Sequence, residues 1–335
     1  MKIPSRVRLT FYLLALAGVA LFTGLLVREG VGKVFGAFVT PKWVILGIAV
    51  YHFIPILLDT IAWWVLFPRK ERPPLLQLFW MRWIGESVST LVPSAAVGGD
   101  IVRARLAAIH GVSLATAAST VIVDLTLGIF IQAGFTITGL LLLVYATGQT
   151  SFVGPTLAGI AVGVAAFIAF FFAQRRGLFG FIGRLVAKIA SSGEWQALVS
   201  GGDTLDQTVK ALYARTRGLI GCAVSTIVSL IVATGEVWIA LWTMDLSPSF
   251  LHAFILQTLA YTIRAAAFAV PGGIGVQEGG YVFVGSLLGI PGEAGFALSL
   301  IARMRELGVG VPGLVLWQIV ESRRLLRSRT AVAPS

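Results

Sequence analysis

The chain has 335 residues, of which 57% are hydrophobic and 12% charged, with a formal net charge of +11 and a mean hydropathy of +0.89. So few polar groups cannot cover a water-facing surface, which excludes a soluble globular protein and leaves a polytopic membrane protein. One cysteine, Cys222, excludes a disulfide framework and a multi-thiolate metal site, and basic residues in short clusters beside apolar spans argue for orientation signals and headgroup contacts rather than nucleic acid.

The first element follows Lys2, Arg6 and Arg8 and runs from Leu9 to Val27. It is long for a signal-peptide core and no small-x-small cleavage site follows it, so a retained first helix is expected. A full crossing takes about 20 apolar residues. By that measure full crossings are expected at 9–27, 43–67, 114–143, 152–173, 218–243 and 293–320. Two further apolar stretches, 75–111 and 250–290, are interrupted by Pro/Gly motifs, and each has the length of two half-crossings. An insertion at 174–217, expected on the cytoplasmic side, lies between two crossings of the second half. Within it, Leu178 to Ala190 places Arg184 and Lys188 on one face of an apolar run, the pattern of a helix lying on the inner membrane surface.

The two interruptions are copies of one motif. Pro93-Ser-Ala-Ala-Val-Gly-Gly-Asp100 leads to Gly111, and Pro271-Gly-Gly-Ile-Gly-Val-Gln-Glu278 leads to Gly289. A constant offset of 178 (271 minus 93) maps Pro onto Pro, acid onto acid and Gly onto Gly, and also carries Trp64 onto Trp242. Ordinary kinks share no such offset. Pro93, Gly98 and Gly99, and Pro271, Gly272, Gly273 and Gly275, are therefore read as the breakers of two re-entrant hairpins. Basic clusters at residues 2–8, 69–72, 175–217 and 323–329 are assigned to the cytoplasm, with both termini. The first broken segment then enters from the cytoplasm and the second from outside, so the repeats are inverted.

Ionisable groups at membrane depth cost roughly 2.5–3.5 kcal/mol unless paired or wetted. Many are retained here: Arg82, Glu86, Asp100, Arg103 and Arg105 in the first broken segment, Asp124 on the next crossing, Arg264 and Glu278 beside Gln277 in the second, and then Arg303, Arg305 and Glu306. Arg82 and Glu86 share a helical face. Glu86 maps onto Arg264 under the offset, so the two are either a cross-repeat ion pair or each paired locally. Asp100 and Glu278 open the returning half-helices, where a carboxylate caps free amides and where two such ends also form a site for an anionic headgroup or a coupling ion. Arg103 and Arg105 read equally as phosphate contacts or topology determinants. Asp124 is expected to face protein, with Arg303 or Arg305 as partner. His52 and Asp59 share a face and form either a hydrogen-bonded core pair or a proton relay. No cofactor, metal site or nucleophile triad is indicated, and Pro271 to Glu278 lacks the Lys-Ser/Thr of a phosphate-binding loop.

These strings resemble the transmembrane domain of the lysylphosphatidylglycerol synthase family, the flippase-like membrane proteins. Gly98-Gly99, Arg103 to Gly111, Ser119 to Asp124, Pro271 to Tyr281, Arg303-Met-Arg-Glu-Leu and Pro312-Gly-Leu together look like its hopanoid-biosynthesis-associated branch, HpnL. The resemblance implies a bacterial inner-membrane protein that moves a hopanoid or anionic phospholipid and works beside lipid-synthesis enzymes. It also implies no aminoacyl transfer, because the synthase domain of the founding members is not in this sequence. The expected fold is thus all-α, a single integral membrane domain over 1–335, with six full transmembrane helices and two re-entrant hairpins. The first repeat is 1–146, the second 147–322, and 323–335 is a cytoplasmic tail. The expected function is lipid transport, against the alternatives of a lipid-modifying membrane enzyme or a non-catalytic accessory of lipid synthesis.

Overall fold

The computed structural model describes residues 20–33, 42–92, 98–148, 153–178, 194–246, 249–267 and 270–330, and among them every regular element is a helix. Residues 20–29 are helical and pack Phe22 on Phe296 with ring centroids 5.3 Å apart; the rest of the expected first span lies outside the described residues. The following elements are α1 (Lys42–Tyr51), α2 (Phe53–Leu66), α3 (Leu75–Leu91), α4 (Gly98–Ile109), α5 (Leu114–Thr147) and α6 (Val153–Arg175). The insertion contains α7 (Glu194–Tyr213), and after it come α8 (Thr216–Trp242), α9 (Phe250–Ala266), α10 (Val276–Leu287) and α11 (Gly292–Thr330).

Among the described residues, three helices are long and apolar enough to cross a membrane: Trp43–Leu66, which joins α1 to α2, Leu114–Thr147 and Thr216–Trp242. In such runs the backbone satisfies its own polar groups, which is what a lipid surround demands. The expected crossing at 152–173 falls on α6, and that at 293–320 on α11, which carries more charged residues than any of the apolar three. The first crossing is kinked. Pro55 has no N–H to give the carbonyl of Tyr51, so the helical ladder is interrupted at His52, which still donates to Ile48. His52 is largely buried there, its side chain 12% exposed.

The broken segments are helix pairs. α3 has 17 residues and α4 has 12, as do α9 and α10 respectively. At 1.5 Å per residue these are about 25 and 18 Å long, short of the ~30 Å hydrocarbon core. Pro93 to Val97 lie outside the described residues; in the second pair the link is the Pro271–Gly273 turn, where Gly272, Gly273 and Gly275 have φ of 62°, 58° and 79°. Only glycine takes that left-handed run without strain.

α3 and α4 approach through glycines. A Cβ on Gly99 would sit 1.9 Å from the carbonyl oxygen of Gly85, and one on Gly85 would sit 2.9 Å from that of Gly99. Gly99→Ala is therefore expected to cost at least about 1–3 kcal/mol of unfolding stability. Thermal unfolding in detergent checks this; a wild-type midpoint would show that the contact is looser than its geometry.

Both ends of the first helix pair lie together. Glu71, in the turn before α3, accepts from the N–H and Oγ of Ser113, the N-cap of α5, at 3.1 and 2.8 Å. Those hydrogen bonds hold the Glu71 carboxyl below its ordinary range, so the tie is present at neutral pH and lost only in acid. At the other end of α5, Leu140 and Leu143 share a core cluster with Ile255 and Leu256 of α9, and Thr136 meets Thr262 at 2.7 Å. α9 thus begins near the end of α5 opposite to the one from which α3 begins.

The offset found in the sequence recurs in the fold. It carries α4 onto α10 residue for residue, 98 to 276 and 109 to 287, and the first residue of α5 onto that of α11, 114 to 292. Packing is reciprocal as well: α3 lies on α11, α9 on α5, and α2 on α8 between them. The amphipathic stretch expected after Leu178 falls at 179–193, outside the described residues. α7 buries Val209 and Leu212 against Ala62, Val123 and Cys222, which docks the end of the insertion on the core.

Candidate functional site

Between the two helix pairs lies a cavity of about 970 Å³. Thr90, Leu91 and Val92 at the end of α3 line it from one pair, and Val270, Gly272 and Gly273 line it from the other. Its wall carries four arginines, Arg82, Arg103, Arg264 and Arg305, and four carboxylates, Asp59, Glu86, Asp100 and Glu306, with His52 among them.

The first group of charges is built on α2 to α5. Arg82 donates to Asp124 at 2.7 Å and to Asp59 at 3.3 Å, and Arg103 donates to Asp124 at 2.6 Å and to Asp100 at 2.9 Å. Asp124, 7% exposed, also accepts weakly from the Cys222 thiol at 3.8 Å. Arg103 is 2% exposed and lies over the Trp63 ring, 5.1 Å from its centroid. One carboxylate thus binds two guanidinium groups and ties three helices behind the cavity wall.

The second group joins α1–α2, α3, α8 and α11. His52 meets Glu86 through Nε2 and Glu236 through Nδ1, both at 2.7 Å. Arg305 donates to Glu236 at 2.5 Å and has the same Nη1 3.0 Å from His52 Nδ1. Arg305 is also 3.8 Å from Glu306, which pairs with Arg264.

The third group holds the second hairpin turn. Glu278 is fully buried; its Oε2 accepts from the Gly275 N–H at 2.7 Å and its Oε1 from Arg303 at 2.9 Å, while Arg303 also donates to the Gly272 carbonyl at 2.7 Å. This is one half of a capping box, the carboxylate reaching back to the N-cap N–H, strengthened by a cation. Glu278→Gln keeps an oxygen for Gly275 but loses the charge facing Arg303, so a stability loss of about 1–2 kcal/mol is expected in detergent unfolding. An unchanged midpoint would show that Arg303 is held by Gly272 alone.

Beside the main cavity is a chamber of about 50 Å³ that shares Gln257, Tyr261, Arg264, Arg305 and Glu306 with it and is also lined by Ile48, Tyr281 and Leu298. Glu236 and Gln277 line the chamber. Gln277 is 2% exposed, and neither amide atom has a hydrogen-bond partner among the described residues. The chamber has room for about three waters, each able to serve such an amide.

Of the residues singled out in the sequence, Arg82, Glu86, Asp100, Arg103, Arg264, Arg305 and Glu306 meet on one cavity wall with Gly272 and Gly273. Asp124, Glu278 and Arg303 stand behind as supports. Arg105 lies apart, 44% exposed and paired with Glu321 at 2.8 and 3.1 Å. Glu86 and Arg264, left open between a cross-repeat pair and local partners, take local partners, His52 and Glu306 from the flanking spans. Two other pairings differ from expectation. Asp124 takes Arg82 and Arg103, whereas Arg303 and Arg305 go to Glu278 and Glu236. His52 turns to two glutamates, and Asp59 turns to Arg82. Glu236 was missed. It lies in an unbroken crossing, so the repeat did not point to it, although a lone carboxylate deep in a 27-residue apolar helix is itself a signal.

A family model described as the lysylphosphatidylglycerol synthase TM region matches residues 11–313. No curated protein and no solved structure matches the chain.

Proposed function

We propose, from the premise that this chain belongs to the lysylphosphatidylglycerol synthase TM-region family, that it moves a polar-headed membrane lipid between leaflets. The observation that carries this is the cavity of about 970 Å³ whose wall of paired charges lies between two helix pairs too short to cross the bilayer. A headgroup entering it exchanges water for fixed donors and acceptors, while its hydrocarbon stays in lipid. The lining balances arginine against carboxylate, which suits a phosphate-bearing headgroup with its own hydroxyl or amine groups; a hopanoid polar derivative is one such lipid.

The two pairs act as re-entrant hairpins in inverted repeats. Their start near opposite ends of α5, the common offset and the reciprocal packing support this, and rocking of one repeat against the other then alternates access to the cavity. Charge bias places both termini in the cytoplasm of a bacterial inner membrane. No chemical step is assigned to the cavity.

The test is translocation of a fluorescent phosphatidylglycerol in vesicles of phosphatidylethanolamine and phosphatidylglycerol, read by external quenching. Purified protein is expected to expose labelled lipid from the inner leaflet faster than protein-free vesicles. No acceleration would count against transport. A new covalent lipid product, seen by mass spectrometry, would assign an enzyme instead, and neither result would leave a scaffold for lipid-synthesis enzymes.

A further inference from the structure

We propose that His52, clamped between Glu86 and Glu236, is a proton-binding site that couples the headgroup cavity to the proton gradient. The inference rests on the transport reading above and adds the coupling ion. It begins with a count of protons. Both imidazole nitrogens lie 2.7 Å from a carboxylate oxygen. Each such contact requires a hydrogen between nitrogen and oxygen. A neutral imidazole with two ionised carboxylates supplies one, so the three residues hold one proton more than that state. With Arg305 on the far oxygen of Glu236 keeping that carboxylate ionised, the extra proton is assigned to the ring, and His52 is an imidazolium donating to both glutamates.

The surroundings supply a second state. From α11, Arg305 Nη1 sits 3.0 Å from Nδ1 while donating to the other oxygen of Glu236. When the proton leaves, Nδ1 becomes an acceptor and Arg305 takes it, while Nε2–H stays on Glu86. The Nδ1–H bond breaks as the proton passes to Glu236 Oε1, and the O–H bond so formed breaks in turn as Glu236 gives the proton to water entering the chamber that it lines. The other charges around His52 are fixed partners: Arg82 on α3 is held by Asp59 and Asp124, Glu306 on α11 by Arg264, and the Tyr51 hydroxyl on the same element donates to the Val232 carbonyl.

Position gives the site its use. Glu86 and His52 line the main cavity, and Glu236 lines the chamber that also holds the unpaired Gln277 amide. The triad therefore spans two polar compartments, with His52 as the junction. A bound proton makes the wall one charge more positive, so an anionic headgroup and a proton enter together and leave together.

The experiment has two arms. In the first, full-length protein with 15N-labelled histidine is placed in phosphatidylethanolamine and phosphatidylglycerol nanodiscs and titrated by NMR, with His52→Gln assigning its signals among the three histidines. Both His52 nitrogens are expected to carry protons at neutral pH, and Glu86→Gln and Glu236→Gln each to weaken proton binding at least about tenfold. A His52 ring with a bare nitrogen at pH 6 would overturn the site, and the wild-type spectrum alone suffices if a variant fails to fold. Proton affinity unmoved by both variants would overturn it too. In the second arm, an imposed pH gradient is expected to drive net labelled-phosphatidylglycerol movement in wild-type vesicles. Movement indifferent to the gradient would overturn the coupling while leaving transport intact. Vesicles that move no lipid at all would defeat the transport reading and the coupling with it, and the NMR arm would still judge the proton site.

Discussion

Asp124→Asn is expected to lower unfolding stability by about 3–5 kcal/mol, the cost of breaking a buried ion pair from one side. Asn matches Asp in size, so no cavity forms and the loss is electrostatic. Asp124 Oδ2 receives Arg82 at 2.7 Å and Arg103 at 2.6 Å, which places two guanidinium groups around one oxygen. Without its charge they repel at short range, and Arg103, 2% exposed, keeps only Asp100 as a carboxylate partner. The helices affected are α3, α4 and α5, so the first helix pair should loosen from the long crossing. Thermal unfolding in detergent reads the effect. Adding Arg82→Gln should recover part of the loss, since the second substitution removes the repulsion created by the first. A single-variant loss under about 1 kcal/mol would mean that the charges are hydrated rather than buried.

The second large effect falls on transport. Arg264→Gln is expected to slow lipid translocation at least about thirtyfold, the equivalent of about 2 kcal/mol for one charge-assisted hydrogen bond to the headgroup. Arg264 ends α9 beside the hairpin turn, lines both the cavity and the chamber, and packs so closely that a Cβ on Gly273 would meet its Cγ at 3.1 Å. Its side chain is 27% exposed to the cavity and Glu306 is its only fixed partner among the described residues, so the fold should survive the change better than in Asp124→Asn. Arg264→Lys should restore part of the rate by keeping the charge, although it loses the planar fork. An unaltered rate in a folded Arg264→Gln protein would remove this residue from the path.

The helix pairs were legible in the sequence because duplication leaves two readings of each position. An acid a few residues after one proline is weak evidence; the same acid after the second proline, with glycines to match, marks the break and the return. Apolar length marked the three clean crossings just as directly. What the sequence could not supply was the rotation of one helix about its axis relative to the next. Glu86 was recognised as buried, but whether it faced Arg264 or His52 depends on the kink at Pro55 and on how closely α3 approaches α2. Likewise Gly99 read as a helix breaker, and only its approach to Gly85 shows that the two set the spacing of the helix pair. Glu278 offered both a cap and a headgroup contact; its full burial and its bond to Gly275 make it the cap. Its place in the transport path is thereby indirect, through the shape of the turn that lines the cavity.

The central claim, that the lipid headgroup passes through the cavity between the hairpins, is tested most directly by blocking that cavity. Thr90 lines it, and the native Cys222 is buried elsewhere. A Thr90→Cys protein in a Cys222→Ala background, reconstituted with fluorescent phosphatidylglycerol, should translocate lipid until a bulky thiol reagent is attached, and then stop while remaining folded. Undiminished translocation by fully modified, folded protein would contradict the account.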